Sequence, residues 1–356
     1  MYAVIMAGGT GTRFWPRSRE RKPKQFLAIF GNKTLIQLTV DRIRPIIPDQ
    51  NILFVLNPQQ KPLLLEQFPQ LTEENIILEP FGKNTAPAIG LAAVHLLARD
   101  ENAVMVALPA DHIILKEQVF RKALQIGAKI AGEHDGLITI GITPDRPATG
   151  YGYIQHNEKI YEEDGIPVHK VKTFAEKPNY ETAVRFLRSG DFLWNSGMFI
   201  WRASVILDEI RKYLPEMYTG LMQLREVIGT DRYAAELETF YRQIRSISID
   251  YGVMEKAQKV FVIKCDLGWS DVGSWDEVYK LSDKDKQGNA ITGNGLVLKS
   301  KNCYVFSEDD LVALVGVENL IVVKSDNAIL VCSQEHAQDI RELVDYLKRK
   351  NMQDYL

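Results

Sequence analysis

Through the first 142 positions of this chain the apolar residues gather into short runs, at 2–7, 52–56, 75–78, 103–108 and 137–142. Between these runs lie longer segments whose apolar positions recur every three or four residues. A continuous apolar run of five or six residues is a strand covered on both faces, and its alternation with amphipathic helices predicts a parallel sheet built from βαβ units. In open sheets of this kind a ligand sits beyond the carboxyl ends of the strands. The loops after the first, third and fourth runs are therefore the places to look for chemistry.

From 150 to 271 the pattern is less regular. Strands are predicted near 170–174 and 192–200 and helices near 180–187 and 233–245, read as insertions into and continuation of the first domain. The charged stretch 283–289 has the composition of a linker. Beyond it, apolar runs centred on Val297, Val305, Ala313, Val322 and Leu330 predict a small β-rich domain. A final amphipathic helix carries Ala337, Ile340, Val344 and Leu347 on one face. The expected division is 1–282, a linker at 283–289, and 290–356.

Composition removes whole classes of function. The 43 Lys and Arg nearly balance 46 Asp and Glu, so no global field favours nucleic acid or an anionic membrane. The basic cluster at 13–24 is therefore a local feature. Cys265, Cys303 and Cys332 are too few and too far apart for a disulfide framework or zinc site, and read as thiols of a reducing compartment. No apolar run reaches membrane-spanning length, and the N-terminus lacks the layout of a signal peptide. A cytoplasmic location is expected.

The densest chemistry follows the first strand. Gly8, Gly9 and Gly11 let the backbone approach a ligand closely and turn successive N–H groups toward one anion. Arg13 and Lys24 add the positive charge that a polyphosphate needs. The dinucleotide fingerprint does not fit, because Phe14 stands where its third glycine is required, and no segment satisfies the P-loop spacing. What remains, G-x-G-T-R-x-x-P-x-S-x(4)-P-K from Gly9 to Lys24, resembles the sugar-1-phosphate nucleotidyltransferases. The forms Phe14-Trp15-Pro16, Pro23-Lys24-Gln25-Phe26 and Asn84-Thr85-Ala86-Pro87 resemble the guanylyltransferase branch of that family, which uses GTP and mannose 1-phosphate. The bland reading, a strand-to-helix loop with surface arginines, explains a bare glycine cluster better than this many matched positions.

The resemblance implies an α/β fold with a Rossmann-like, mostly parallel mixed sheet of the nucleotidyltransferase or glycosyltransferase-A kind, followed by a truncated left-handed β-helix. It also implies a reaction that needs little acid or base work. The second pKa of a phosphate is about 6, so a sugar phosphate is already a dianionic nucleophile at neutral pH. Charge neutralisation, positioning and a metal carry the catalysis. Asp111 and Asp271 are the expected Mg²⁺ ligands, and Arg13, Lys24 and Lys177 the catalytic cations. The nucleotide is expected on Gly8, Gly9, Gly11, Thr12, Arg13, Lys24, Glu79, Asn84, Thr85 and Asp111. The sugar is expected on Gly150, Glu176, Lys177 and Asn195.

Each assignment has a plainer competitor. Asp271 also suits the cap of the helix entering Trp275, and Asn84 the N-cap of the helix that follows it. A Glu176-Lys177 pair is also what a solvated surface shows. Guanine is read either by a backbone carbonyl or by a side chain such as Glu79. His112, without a matched His or Cys partner, reads as structural, and the stretch from Asp250 to Lys256 resembles another family stretch whose role an architectural reading also covers. The partners implied are GTP and mannose 1-phosphate, with no nucleic acid or membrane, and a homodimer as the candidate assembly. Two other functions stay open: a glucose-1-phosphate thymidylyl- or adenylyltransferase, and a non-catalytic sugar-nucleotide-binding regulatory protein.

Overall fold

The computed structural model describes residues 1–9 and 11–356. The apolar runs form strands β1 (Tyr2–Met6), β2 (Ile52–Leu56), β3 (Ile76–Leu78) and β4 (Val104–Pro109), followed by the short β5 (Ile113–Ile114) and by β6 (Leu137–Ile142). Next come the hairpin β7 (Tyr153–Glu163) and β8 (Ile166–Ala175), then β9 (Phe192–Arg202), β10 (Val260–Lys264) and the short β11 (Trp269–Ser270). Helices α1 (Leu35–Ile43), α2 (Lys61–Gln67), α3 (Thr85–Arg99) and α4 (Glu117–His134) alternate with the early strands. After β8 come α5 (Tyr180–Ser189), α6 (Ala203–Tyr213), α7 (Pro215–Val227), α8 (Tyr233–Gln243) and α9 (Trp275–Leu281).

The large sheet has the order β3-β2-β1-β4-β9-β6-β10-β8-β7. Strands β1, β2, β3 and β4 run parallel, as continuous apolar runs require. One core packs under α1, α2 and α4 through residues such as Ile36, Leu64 and Leu124. A second packs under α3, α6 and α7 through Ile89, Ile206 and Leu221. The middle of the sheet departs from the simple βαβ expectation. Strand β9 enters between β4 and β6 and runs antiparallel to both, so the segment read as an insertion supplies the centre of the sheet. Strand β7, absent from the expected set, is mostly solvated and so carries no apolar run.

At the C-terminal end β12 (Ala290–Leu298), β13 (Tyr304–Val315) and β14 (Leu320–Ser325) form a parallel, β-helix-like ladder. Strand β15 (Ala328–Ser333) returns antiparallel and closes it. The runs around Val305 and Ala313 belong to the single strand β13. Helix α10 (Ile340–Arg349) then buries Ile340, Val344 and Leu347. The core beneath this ladder joins two distant parts of the chain. Phe14, Trp15, Leu27 and Leu35 pack with Trp275, Tyr304, Phe306 and Ile321, and the Trp275 indole N–H donates to the Trp15 carbonyl at 3.1 Å. Between the two sheets, 283–289 is a turn organised by Asp285, whose carboxylate accepts from the main-chain N–H groups of Gln287 and Asn289 at 2.8 Å.

Candidate active site

The loops at the carboxyl ends of β1, β3 and β4 meet residues from the β7–β9 region in two adjoining clefts that share His112 and Asp271. The smaller, of about 390 Å³, takes in Gly11, Thr12, Arg13, Lys24 and Asp111. The larger, of about 500 Å³, runs from Glu79, Asn84 and Thr85 at one end, past Gly8 and Gly9, to Gly150, Glu176, Lys177 and Asn195 at the other. The chain thus brings all the residues singled out from sequence to two adjoining clefts, with Gly8 and Gly9 in the larger and Gly11 in the smaller.

The turn is built for this place. Gly11 has φ +63°, and a Cβ there would collide with the Lys24 side chain, so glycine is required both by conformation and by space. Gln25 Nε2 holds the turn from behind, donating to the carbonyls of Ala7 and, at 3.1 Å, Gly9. That gives Gln25 in the Pro23-Lys24-Gln25-Phe26 motif a supporting job.

Lys24 is buried, with 4 % of its surface exposed. Its ammonium donates to Asp111 Oδ2 at 2.9 Å and to the Asp271 carbonyl at 2.7 Å, and lies over the Phe14 ring at 5.2 Å. A buried cation survives only with partners like these. Burial pushes the Asp111 carboxyl upward, but Lys24 and its hydrogen bond outweigh it and hold the group below the ordinary aspartate value. Arg13 is exposed at the rim and donates to Gln338 Oε1 at 2.9 Å. Asp271 Oδ1 accepts from the Tyr151 hydroxyl at 2.8 Å, while Ser274 occupies the N-cap of α9. Asp271 is therefore free of the capping job.

Val272 beside Asp271 has φ +46°, and Lys177 and Asn84 have φ +47° and +71°. For a β-branched residue a positive φ is costly, and strain of this sort, on the order of 1–3 kcal/mol per residue, gathers at functional sites. Asn84 is also the N-cap of α3, its side chain accepting from the Thr85 N–H at 2.9 Å. The two readings of Asn84 coexist: it caps the helix and lines the cleft.

At the far end of the larger cleft the charges are acidic. Glu176 Oε1 pairs with the Lys177 ammonium at 3.1 Å, while Glu176 Oε2 is buried with no hydrogen-bond partner among the described residues. A Cβ on Gly152 would overlap that oxygen, so this glycine makes room for the carboxylate. Asn195 Nδ2 donates to Asp250 Oδ1 at 2.8 Å, and its carbonyl oxygen accepts from the Thr139 hydroxyl and the Gly197 N–H, each at 3.2 Å. The Asn195 side chain keeps one N–H for a ligand, and its acceptor is already engaged. Asp250 opens a π-helical turn, Asp250–Met254, and burial, reinforced by Glu176, raises its carboxyl to about 6.

Asp250 is a site residue to which sequence reasoning gives no role beyond an architectural one; its signal is burial beside Glu176, which no local pattern carries. Tyr151, to which the sequence alone assigns no role, also lines the larger cleft, wedged between Trp194 and Trp269 at ring distances of 5.0 and 5.3 Å. His112 lines both clefts and accepts from the Trp269 indole at 3.1 Å. At the opposite end Glu79 accepts from the Tyr241 hydroxyl at 2.9 Å, and burial raises its carboxyl to about 7.

Residues 2–288 match the Nucleotidyl transferase family, and the chain belongs to that family. Residues 293–347 match the MannoseP isomerase/GMP-like beta-helix domain. The chain is 41% identical over 356 residues to a mannose-1-phosphate guanylyltransferase of Klebsiella pneumoniae, covering 99% of this chain and 75% of that protein. It is 39% identical over 353 residues to one of Escherichia coli K12, covering 98% and 73%. A crystal structure from Thermus thermophilus, described as a mannose-1-phosphate geranyltransferase, superposes with a TM-score of 0.87 at 33% identity, covering 98% of this chain and 99% of that one. Among the described residues no helix is long and apolar enough to cross a membrane.

Proposed function

We propose that this chain transfers GMP from GTP to α-mannose 1-phosphate, giving GDP-mannose and pyrophosphate. The observation that carries the reading is the pairing of two unlike clefts across Asp271, the smaller bringing Arg13, Lys24 and Arg341 to the glycine turn, the larger with carboxylates in excess. A triphosphate needs the first. A nucleoside and a neutral sugar ring need the second, and the named relatives supply mannose and guanine as the specific choices.

In this reading the guanine lies toward Glu79, whose buried carboxyl offers an acceptor to the N1–H and N2–H₂ edge that distinguishes guanine from adenine. The polyphosphate crosses the glycine turn into the narrow cleft, where Lys24 and Arg13 face it. The sugar hydroxyls meet Glu176, Asp250 and the free N–H of Asn195. Lys177 leaves Glu176 for the sugar phosphate and offsets the charge that shifts during attack. The phosphate dianion attacks the α-phosphorus in line, with inversion, and the bond to the bridging oxygen of pyrophosphate breaks. No protein base is required.

Two carboxylates at the phosphate end, one held below its ordinary pKa beside Lys24, suit an oxygen-liganded divalent cation. Asp111 and Asp271 would hold Mg²⁺, which when bound neutralises phosphate charge and orients the leaving group. The decisive experiment is pyrophosphate release over a grid of four nucleoside triphosphates against mannose, glucose, galactose and N-acetylglucosamine 1-phosphates. The reading expects GTP with mannose 1-phosphate to dominate, and is lost if another pair exceeds it.

A further inference from the structure

The narrow cleft has a wall that none of the sequence motifs indicates. Arg341 and Asp345, one turn apart on α10, face Gly11, Arg13 and Lys24 across it. This wall is fixed in place. Helix α10 docks through Ile340, Val344 and Leu347 into the core that contains Phe14 and Trp15. The Trp15 indole donates to the Tyr355 carbonyl at 2.7 Å and Arg19 to the Asp354 carbonyl at 3.0 Å. Just before the helix, Gln338 accepts from Arg13 at 2.9 Å and donates to the Ser274 hydroxyl at 2.6 Å.

Of the three Lys and Arg side chains lining the cleft, two are committed: Lys24 to Asp111 and Arg13 to Gln338. Arg341 is exposed and has no hydrogen bond or ion pair among the described residues. The formal charges there are Arg13, Lys24 and Arg341 against Asp111, Asp271 and Asp345. The balance is even only because Arg341 is present, and without it a polyanion would meet a site with one carboxylate in excess. An uncommitted guanidinium with a planar fork of donors is the group best suited to bind phosphate oxygens in pairs.

We propose that Arg341 is a polyphosphate ligand supplied by the C-terminal unit, binding the β- and γ-phosphates of the incoming nucleotide and the pyrophosphate they become. The proposal rests on the nucleotidyl-transfer reading above.

The test is calorimetric titration of the full chain with inorganic pyrophosphate in the presence of Mg²⁺, comparing wild type, Arg341→Ala, Arg341→Lys and the control Glu342→Ala, whose side chain does not line the cleft. Arg341→Ala should weaken pyrophosphate binding at least tenfold and raise the KM for GTP, leaving the KM for mannose 1-phosphate and the melting temperature unchanged. Arg341→Lys should recover part of the loss, and Glu342→Ala should match wild type. Unchanged pyrophosphate affinity in Arg341→Ala, with normal binding by wild type, overturns the assignment alone. A wild type that neither binds pyrophosphate nor releases it from GTP overturns the underlying functional reading together with it.

Discussion

On the proposed function, the two clefts solve opposite problems. In the narrow one, two of the three cations are already paired, Lys24 with Asp111 and Arg13 with Gln338. In the wide one, a buried carboxylate oxygen of Glu176 has no partner among the described residues and Asp250 is pushed toward protonation. A polyphosphate brings several charges and can displace such pairings, so its site can rest in a neutralised state. A sugar ring brings only hydroxyls, so its site must hold acceptors ready and bear their desolvation beforehand. The narrow cleft should therefore govern the rate of chemistry and the wide one the choice of substrate.

Four measurements can break or sharpen that contrast. The largest effect should come from the pair Asp111 and Asp271. Replacing either by Ala, or assaying wild type in excess EDTA, should lower turnover by roughly three orders of magnitude, since a Lewis-acid cation supplies several kcal/mol and each 1.36 kcal/mol is tenfold. Equal rates with EDTA and with Mg²⁺ would remove the metal from the account.

Next, Lys24→Ala should reduce kcat by about 100-fold, the scale of removing one preorganised charge-stabilising donor. It should also lower stability by leaving Asp111 half-buried and without its ammonium. A change confined to the KM for GTP would erase the distinction between the two clefts.

At the sugar end the effects should be smaller and appear in KM. Glu176→Gln should raise the KM for mannose 1-phosphate roughly tenfold, as expected for losing a charged hydrogen-bond acceptor worth about 1.5–3 kcal/mol. GTP saturation should stay the same. Asn195→Ala should act in the same direction and also strand Asp250. Lys177→Ala should hurt every sugar 1-phosphate alike, so equal losses for mannose and glucose 1-phosphates separate it from Glu176.

The smallest effect is on stability against pH. Asp250 is raised from 3.8 to about 6 and Glu79 from 4.5 to about 7. A carboxyl whose folded pKa is raised favours the folded state fully below its unfolded pKa, and that contribution is lost as pH climbs through the folded value. Between about pH 4 and 7 these two groups should thus lower stability progressively. Asp250→Asn should melt a few degrees above wild type at about pH 7.5 and no higher at about pH 4. Parallel melting curves at both pH values would show that Asp250 does not titrate in this range.

Sequence legibility follows locality. Strands β1, β2 and β4 are readable because burial on both faces writes an unbroken apolar run, and the glycine turn because Gly11 packs directly on Lys24 within the same motif, although the partners of the Lys24 ammonium, Asp111 and Asp271, are distant in sequence. Strand β9 is readable as a strand, but its antiparallel place between β4 and β6 is not, since nothing within 192–202 specifies which distant strands flank it. Asp250 is hidden because its distinction is the carboxylate of Glu176 beside it. The apolar face of α10 is evident from its periodicity, whereas its polar face, carrying Arg341 and Asp345, gains meaning only from the cleft it meets.

The bond between the Trp15 indole and the Tyr355 carbonyl, 340 positions apart, sets a clock on biosynthesis. At about 5–20 residues per second, roughly 20–70 s separate the appearance of those two residues at the ribosome. The wall of the glycine turn cannot close until the later one emerges. A nascent chain long enough to have built the whole large sheet still exposes Phe14, Trp15 and Trp275 to the surrounding solution, so ribosome-bound intermediates stalled before residue 340 should be the ones that chaperones hold.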